Sequence, residues 1–488
     1  MYPKSHFCLN NFCQLCLVVL VGVLLGACNR GGLPCVEPDK VTRETTESTN
    51  LAVHVGVDGS QSMLGFAKGN SSRYITVIQK LDDLLRPNNL KANFSSVLPI
   101  DDVKVNYFRL GVKEKPPRVD IQRIQGTGQT TSFLDAKFSR FYDGEDEGRY
   151  PTVSSSLHQL LDDETLSTLL GEKQQPKTDR EKQARQDVLR IMISDLEPDN
   201  SAIGEITARI SRLFTNNPDY KAILLGIRSE FNGTVFSTDR PDENRILYQS
   251  SGDPDETGRP FYLFILGPDL LVDSFVKRFF DRLGEIGFSA RFSSFQYNDQ
   301  TVTLNIRSDN FGEKQSDCTQ RESRLGGKRP KNDQESQWLI LSQERCGRDG
   351  SDGYKEFQLK DVTSSSSLFL RGVTFAPGDF KVSEQFIKIN EVSTKDIRSN
   401  PYLNFSIQFT GEEANSDIQS VFVTLKKDAL DDLVWKDWDT SINNLTGTRT
   451  QQLLDFVRSL RDRVSVDNRR QSNQTQDAIQ LCLGYVRK

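Results

Sequence analysis

The sequence predicts an α/β fold: a doubly wound, mostly parallel sheet over residues 50–292, then a β-rich domain at 293–447 and a C-terminal helical tail at 448–488. Strand-like apolar runs alternate with helix-period segments across the first region, which is the pattern of βαβ units. The runs are apolar or small on both faces, as strands buried between two helix layers must be. From about residue 293 the texture changes to period-two alternation broken by Gly, Asp, Asn and Ser, which predicts antiparallel strands, a sandwich fitting best.

The first 27 residues read as an export signal. Lys4 and His6 precede an apolar run from Cys13 to Ala27, too short for a comfortable membrane span and closed by small residues. Its end, Leu25-Gly26-Ala27-Cys28, resembles a bacterial lipobox. That resemblance implies cleavage before Cys28, diacylglyceryl attachment to its sulfur, and anchoring at a membrane surface outside the cytoplasm. Asn29 is not the aspartate that signals inner-membrane retention, so the outer membrane is expected where two membranes exist. Residues 28–49 hold Gly-Gly, two prolines and a polar stretch, and are expected to act as a tether.

Of eight cysteines, Cys8, Cys13 and Cys16 fall in the signal. With Cys28 lipidated, Cys35, Cys318, Cys346 and Cys482 form an even set suited to an oxidising compartment. Three pairings are possible; Cys318 with Cys346 is favoured because a polar stretch there separates two strand-like segments. The balance of 62 basic to 67 acidic residues, without a basic patch, argues against nucleic acid as a partner. Three histidines leave little material for a His-based metal site or general base, and His54, inside a strand, reads as a core residue.

In chain order, Leu51, Val53, Val55 and Val57 alternate with small residues and predict a buried central strand. It ends in Asp58-x-Ser60-x-Ser62. At the carboxyl end of a strand in an open sheet these three side chains offer hard oxygen donors for Mg²⁺, Mn²⁺ or Ca²⁺. Apolar residues from Tyr74 to Leu85 recur at helical spacing, and Arg86-Pro87 stops that helix. Val103 to Leu110 predicts a second strand, and Gly111–Pro151 reads as irregular, with a mobile Gly-Thr loop at 126–131 and a solvated acidic run at Asp143–Glu147. Thr152 is expected to open a helix, residues 171–187 to form an exposed charged insertion, and Val188–Ser194 to form a strand ending at Asp195. A helix over Ile203–Phe214, strands over Ala222–Ile227 and Phe261–Leu266, and a helix over Leu271–Leu283 complete the region. A final amphipathic helix is expected over residues 450–466.

The strand ending Asp58-Gly-Ser60-Gln-Ser62-Met63, with the later strand ending in Asp195, resembles the von Willebrand factor A domain over residues 50–290. The resemblance implies a metal-ion-dependent adhesion site. Asp58, Ser60 and Ser62 would hold the ion, a threonine from a second loop would join them, and Asp195 would act through water. Thr152 is favoured for that threonine by its place before the Asp195 strand; Thr131, in Thr131-Ser-Phe-Leu-Asp-Ala, is the alternative. The usual Thr-Asp-Gly is replaced by Ser194-Asp195-Leu196, and Glu197 either adds charge to the rim or faces solvent. By this resemblance the chain is not an enzyme. It is expected to bind a partner protein whose carboxylate completes the shell of a Mg²⁺ ion, with the β-rich domain as a spacer or second contact surface. The alternatives are a metal-free envelope scaffold and, less favoured, a metal-assisted hydrolase, since the chain offers no Ser-His-Asp set and no cofactor fingerprint.

Overall fold

The computed structural model describes residues 49–296 except 70, 95–98, 113–120, 126–130, 172–185, 198–199 and 240–242. Beyond these it describes 302–305, 319–320, 340–342, 355–359, 376–382, 387–397, 400–409, 419–469 and 477–486. Cys28, Cys35, Cys318 and Cys346 lie outside the described residues, as do the signal, the tether and most of the Gly-Thr loop and charged insertion.

The alternating run forms β1 (Thr49–Asp58), whose Leu51, Val53, Val55 and Val57 are all buried. Helix α1 (Arg73–Leu84) follows, with the Ser72 hydroxyl accepting from the Ile75 amide as its N-cap. Pro87 then opens a second short helix, α2 (Pro87–Phe94). The remaining elements of this region are β2 (Ile100–Leu110), β3 (Ile121–Arg123), α3 (Asp163–Leu170), β4 (Gln186–Ser194), α4 (Asn200–Asn216), β5 (Tyr220–Ser229), a hairpin of β6 (Asn232–Phe236) and β7 (Arg245–Gln249), β8 (Arg259–Pro268), α5 (Asp269–Leu283) and β9 (Arg291–Gln296).

Seven of these strands form one sheet in the order β3-β2-β1-β4-β8-β5-β9. The expectation of a mostly parallel sheet holds for its centre, where β1 pairs in parallel with both β2 and β4. Elsewhere the sheet is mixed: β8 runs antiparallel between β4 and β5, β9 antiparallel on β5, and β3 antiparallel on β2. Period-two patterning could not show this, because β5 and β8 are buried along their whole length and read the same in either direction.

The two faces of the sheet carry separate cores. Val53, Val55, Leu189, Ile191, Ile223 and Leu225 pack on one side with α1, α2 and α5. On the other side Met192 and Leu224 meet α4, the turn Leu157–Leu161, and two helices from much later in the chain. These are α6 (Lys427–Trp435) and α7 (Leu453–Arg469). The helix expected in a C-terminal tail is therefore a layer of the α/β body, packed along α4. Gly226 of β5 makes room for it: a Cβ there would lie 2.7–2.8 Å from the rings of Trp438 and Trp435. Trp438 is held between the guanidinium groups of Arg228 and Arg291, each 5.1 Å from its ring centre.

The stretch between β9 and α6 contributes strands to other sheets. Ile387–Ile397 pairs antiparallel with Asn400–Phe409, which also carries Lys355–Leu359. Gln419–Lys426 pairs antiparallel with Asp477–Val486, the strand that bears Cys482 and closes the described chain. That last strand also takes two parallel neighbours, Val302–Asn305 and Ile340–Ser342, so this sheet is mixed. Among the described residues no helix is long and apolar enough to cross a membrane.

Candidate functional site

The order of the sheet reverses at β1: β2 and β3 lie to one side of it, β4 to the other. In open α/β sheets the crevice at such a point, beyond the carboxyl ends of the strands, is where ligands bind. Asp58 ends β1 and Asp195 follows β4 directly, so chain geometry alone brings these two carboxylates to that crevice. Both are about 1 % exposed.

The loop after β1 is fixed to the end of β2. The Gly59 amide donates to the Leu110 carbonyl (2.8 Å), and the Gly59 carbonyl accepts from Arg109 Nη2 (3.0 Å). A Cβ on residue 59 would sit 2.6–2.8 Å from the Arg109 side chain, so glycine is required by this close approach. Arg109 is itself buried, donates from Nε to the Phe141 carbonyl, and faces the rings of Phe141 and Tyr150. Burial pushes its pKa down to about 10, partly opposed by Tyr142 and Asp58.

Asp58 is the hub of the hydrogen bonding. Its Oδ1 accepts from the Ser60 amide (3.0 Å). Its Oδ2 accepts from the hydroxyls of Ser155 (2.9 Å) and Ser194 (2.8 Å). The Ser60 and Ser62 hydroxyls are 3.0 Å apart, and Ser62 is near enough to Asp195 to favour its ionised form. Ser194 in turn accepts from the Leu196 amide, which holds the turn after β4 with Leu196 at φ +49°. This left-handed conformation falls where the resembled pattern has glycine, and leucine carries it at a cost of about 1–2 kcal/mol.

Asp58, Ser60, Ser62 and Asp195 are thus brought together as expected, but the expected threonines are placed elsewhere. Thr152 is exposed with its hydroxyl against Gly144, and the helical turn expected to start there begins at Leu157. Thr131 donates to the Ile124 carbonyl (2.6 Å) and closes the loop after β3. The second-loop hydroxyl that reaches Asp58 is Ser155. It is positioned by the bridge between Val112, just past β2, and Ser154.

A further residue completes the site from a strand that pattern reading did not connect with it. Because β8 is antiparallel to β4, with Tyr262 opposite Ser194, its first residue Arg259 projects to where Asp195 and Glu197 lie. Arg259 is fully buried, ion-paired with Glu197 and 3.9 Å from Asp195 Oδ2. The Glu197 side chain is 5 % exposed, which answers its two open readings: it faces neither rim nor solvent but the guanidinium. Beneath lie Phe66, Tyr74, Phe231 and Phe261 in edge contacts with centroids 4.9–5.6 Å apart. Burial, with Glu197 and then Asp58 adding repulsion, pushes the Asp195 carboxyl up to about 8, against the pull of Arg259 and Ser62. Burial also raises Glu197, opposed by Arg259.

The donor set suits a small hard cation. Two hydroxyl oxygens 3.0 Å apart match adjacent corners of an octahedron with metal–oxygen distances of about 2.1 Å. Asp195 Oδ2 is buried without a hydrogen-bond donor, and Asp58 Oδ1 has used one of its two acceptor positions. Among the described residues, this crevice included, no group of three His, Cys, Asp or Glu side chains is placed to hold a metal ion, so the donor set here rests on hydroxyls as well as carboxylates. No family model matches the sequence, and neither a curated protein nor a solved structure matches it.

Proposed function

We propose that this chain is a lipid-anchored, extracytoplasmic binding protein. Its α/β body, a doubly wound domain of von Willebrand factor A type, engages a partner protein through a Mg²⁺-dependent site. Asp58, Ser60 and Ser62 hold the ion, Asp195 orients through water, and Ser155 takes the part that the resemblance gives to a threonine. The observation that carries this reading is the convergence of these oxygens at the strand ends where the sheet order reverses. When bound, a divalent ion with an open position supplies an electrophilic point for a carboxylate.

Charge balance supports the same partner chemistry. A divalent ion bound beside Asp195 would displace the proton that this carboxyl, raised to about 8, otherwise holds at neutral pH; the carboxylates of Asp58, Asp195 and Glu197 would then exceed the guanidinium groups of Arg259 and Arg109 by one negative charge. A divalent ion turns this into a single positive charge, which the partner's carboxylate neutralises. The Ser155 and Ser194 hydroxyls are taken up as donors to Asp58, and the activity proposed is binding, not catalysis. With Cys28 lipidated and followed by Asn29 in place of a retention aspartate, the chain is assigned to the outer membrane where two membranes exist.

One observation favours a second reading, a metal-free scaffold: Arg259 already supplies a resident cation to Asp195 and Glu197. Mn²⁺ titration followed by electron paramagnetic resonance separates the two. One site per chain, competed by Mg²⁺ and lost in Ser62→Ala and Asp195→Asn, is the expected result. Equal Mn²⁺ uptake by wild type and both variants, or none by the wild type, would move the assignment to the scaffold.

A further inference from the structure

Arg259 joins two parts of the chain that are far apart in sequence. Its Nη2 faces Glu197 and Asp195, while its Nη1 donates to the carbonyls of Thr446 and Gly447, at 3.4 Å each. The Phe231 ring lies 5.3 Å from the guanidinium carbon, so the planar group is gripped on its face as well as on two edges. Thr446 and Gly447 belong to the turn at 441–450, between α6 and α7. The amides of Asn444, Thr450 and Gln452 bond within that stretch to Ser441, Trp438 and Thr440. Tyr262, opposite Ser194 in the sheet, donates from its hydroxyl to Thr450 at the same turn (2.9 Å).

We propose that Arg259 is a positioning residue that couples the candidate ion site to the 441–450 turn. The contacts it makes with Glu197 and Asp195 on one side thereby set its hold on Thr446 and Gly447 on the other. The reason is geometric. A buried guanidinium has no water to turn to, and bonds of 3.4 Å are at the long end of the useful range, so a small displacement strengthens or breaks them. Loss of the Glu197 charge removes the ion pair that aims the group and loosens the turn. A divalent ion beside Asp195 repels the guanidinium towards the two carbonyls and tightens it. The second statement rests on the ion reading; the first does not. Through α6 the turn adjoins the strands Gln419–Lys426 and Asp477–Val486, so the coupling links the crevice to the β-rich part of the chain.

Hydrogen exchange of the full chain, read at the amides of 442–452, tests this. Glu197→Gln without metal is expected to speed exchange there about tenfold, while β1 and α7 stay within twofold of wild type. In an Arg259→Gln background the same change should add less than twofold, because the coupling residue is gone. Unchanged exchange in Glu197→Gln, or independent multiplying effects in the double variant, would overturn the proposal. If Glu197→Gln does not fold, Arg259→Lys keeps the charge but cannot span both sides, and must show the same local acceleration. Mg²⁺ with calorimetric detection forms the second arm. Binding without slower exchange at 442–452 refutes the coupling, whereas absence of binding refutes the ion reading and leaves the coupling to the metal-free variants.

Discussion

Replacing Asp58 by alanine removes the acceptor shared by the Ser60 amide and the Ser155 and Ser194 hydroxyls. Ser155 is half-buried and turns to water, so its loss counts for little. Ser60 and Ser194 stay buried, and each unsatisfied donor costs about 1–3 kcal/mol. Relief of a buried charge offsets part of this, leaving a net loss of roughly 3–4 kcal/mol. For a body of this size that is a fall in Tm of roughly 6–16 °C. The assay is thermal unfolding in EDTA, then with Mg²⁺. At a hundred times Kd the ion adds about 2.7 kcal/mol to the wild type and nothing to the variant. A fall below about 2 °C in EDTA would refute the role of Asp58 as hub, whatever the ion does. A normal fall with no Mg²⁺ response in the wild type would keep the hub and remove the ion.

Three other expectations follow from single positions. His54 is buried with its pKa pushed down to about 3 by burial and by Arg190 and Lys104. Between about pH 6.5 and 3 the unfolded chain therefore binds a proton that the folded chain refuses, and stability falls with pH by about 1.4 kcal/mol per unit. Asp195, raised in the folded state, works in the opposite sense, so the measurement is the difference between wild type and His54→Gln in urea titrations at pH 5 and 7. At position 196, Gly should be more stable than Ala by about 1 kcal/mol, reversing the usual order; equal stabilities would contradict the positive φ. Gly226→Val should cost about 1–3 kcal/mol by displacing Trp435 and Trp438, with a red shift of tryptophan emission. An unshifted spectrum would show that the helices do not lie on β5.

What could be read from the letters was what depends on near neighbours. The alternation of β1 and its ending in Asp58, Ser60 and Ser62 needed only a two-residue period and a turn. Asp195 needed only a second apolar run. Which second-loop hydroxyl reaches Asp58 was not legible because Pro151-Thr-Val-Ser-Ser-Ser156 offers four candidates, and Ser155 is brought there by pairing of its neighbour Ser154 with Val112, on a distant segment. Arg259 was not legible, because the direction of a strand buried on both faces leaves no trace in its pattern. The return of α6 and α7 was equally hidden, since an amphipathic helix does not say which apolar face it covers.

That return sets an order of assembly. Residues 297–426 separate β9 from α6 in the chain, so one face of the sheet is covered only after this whole stretch has been passed and the chain has returned. Until then the face of β8 and β5 that will hold Trp435, Trp438, Phe456 and Leu460 has no lid, and Tyr262, Phe264 and Gly226 are open to water or to other chains. A gene truncated after β9 should yield inclusion bodies, however well its crevice is encoded.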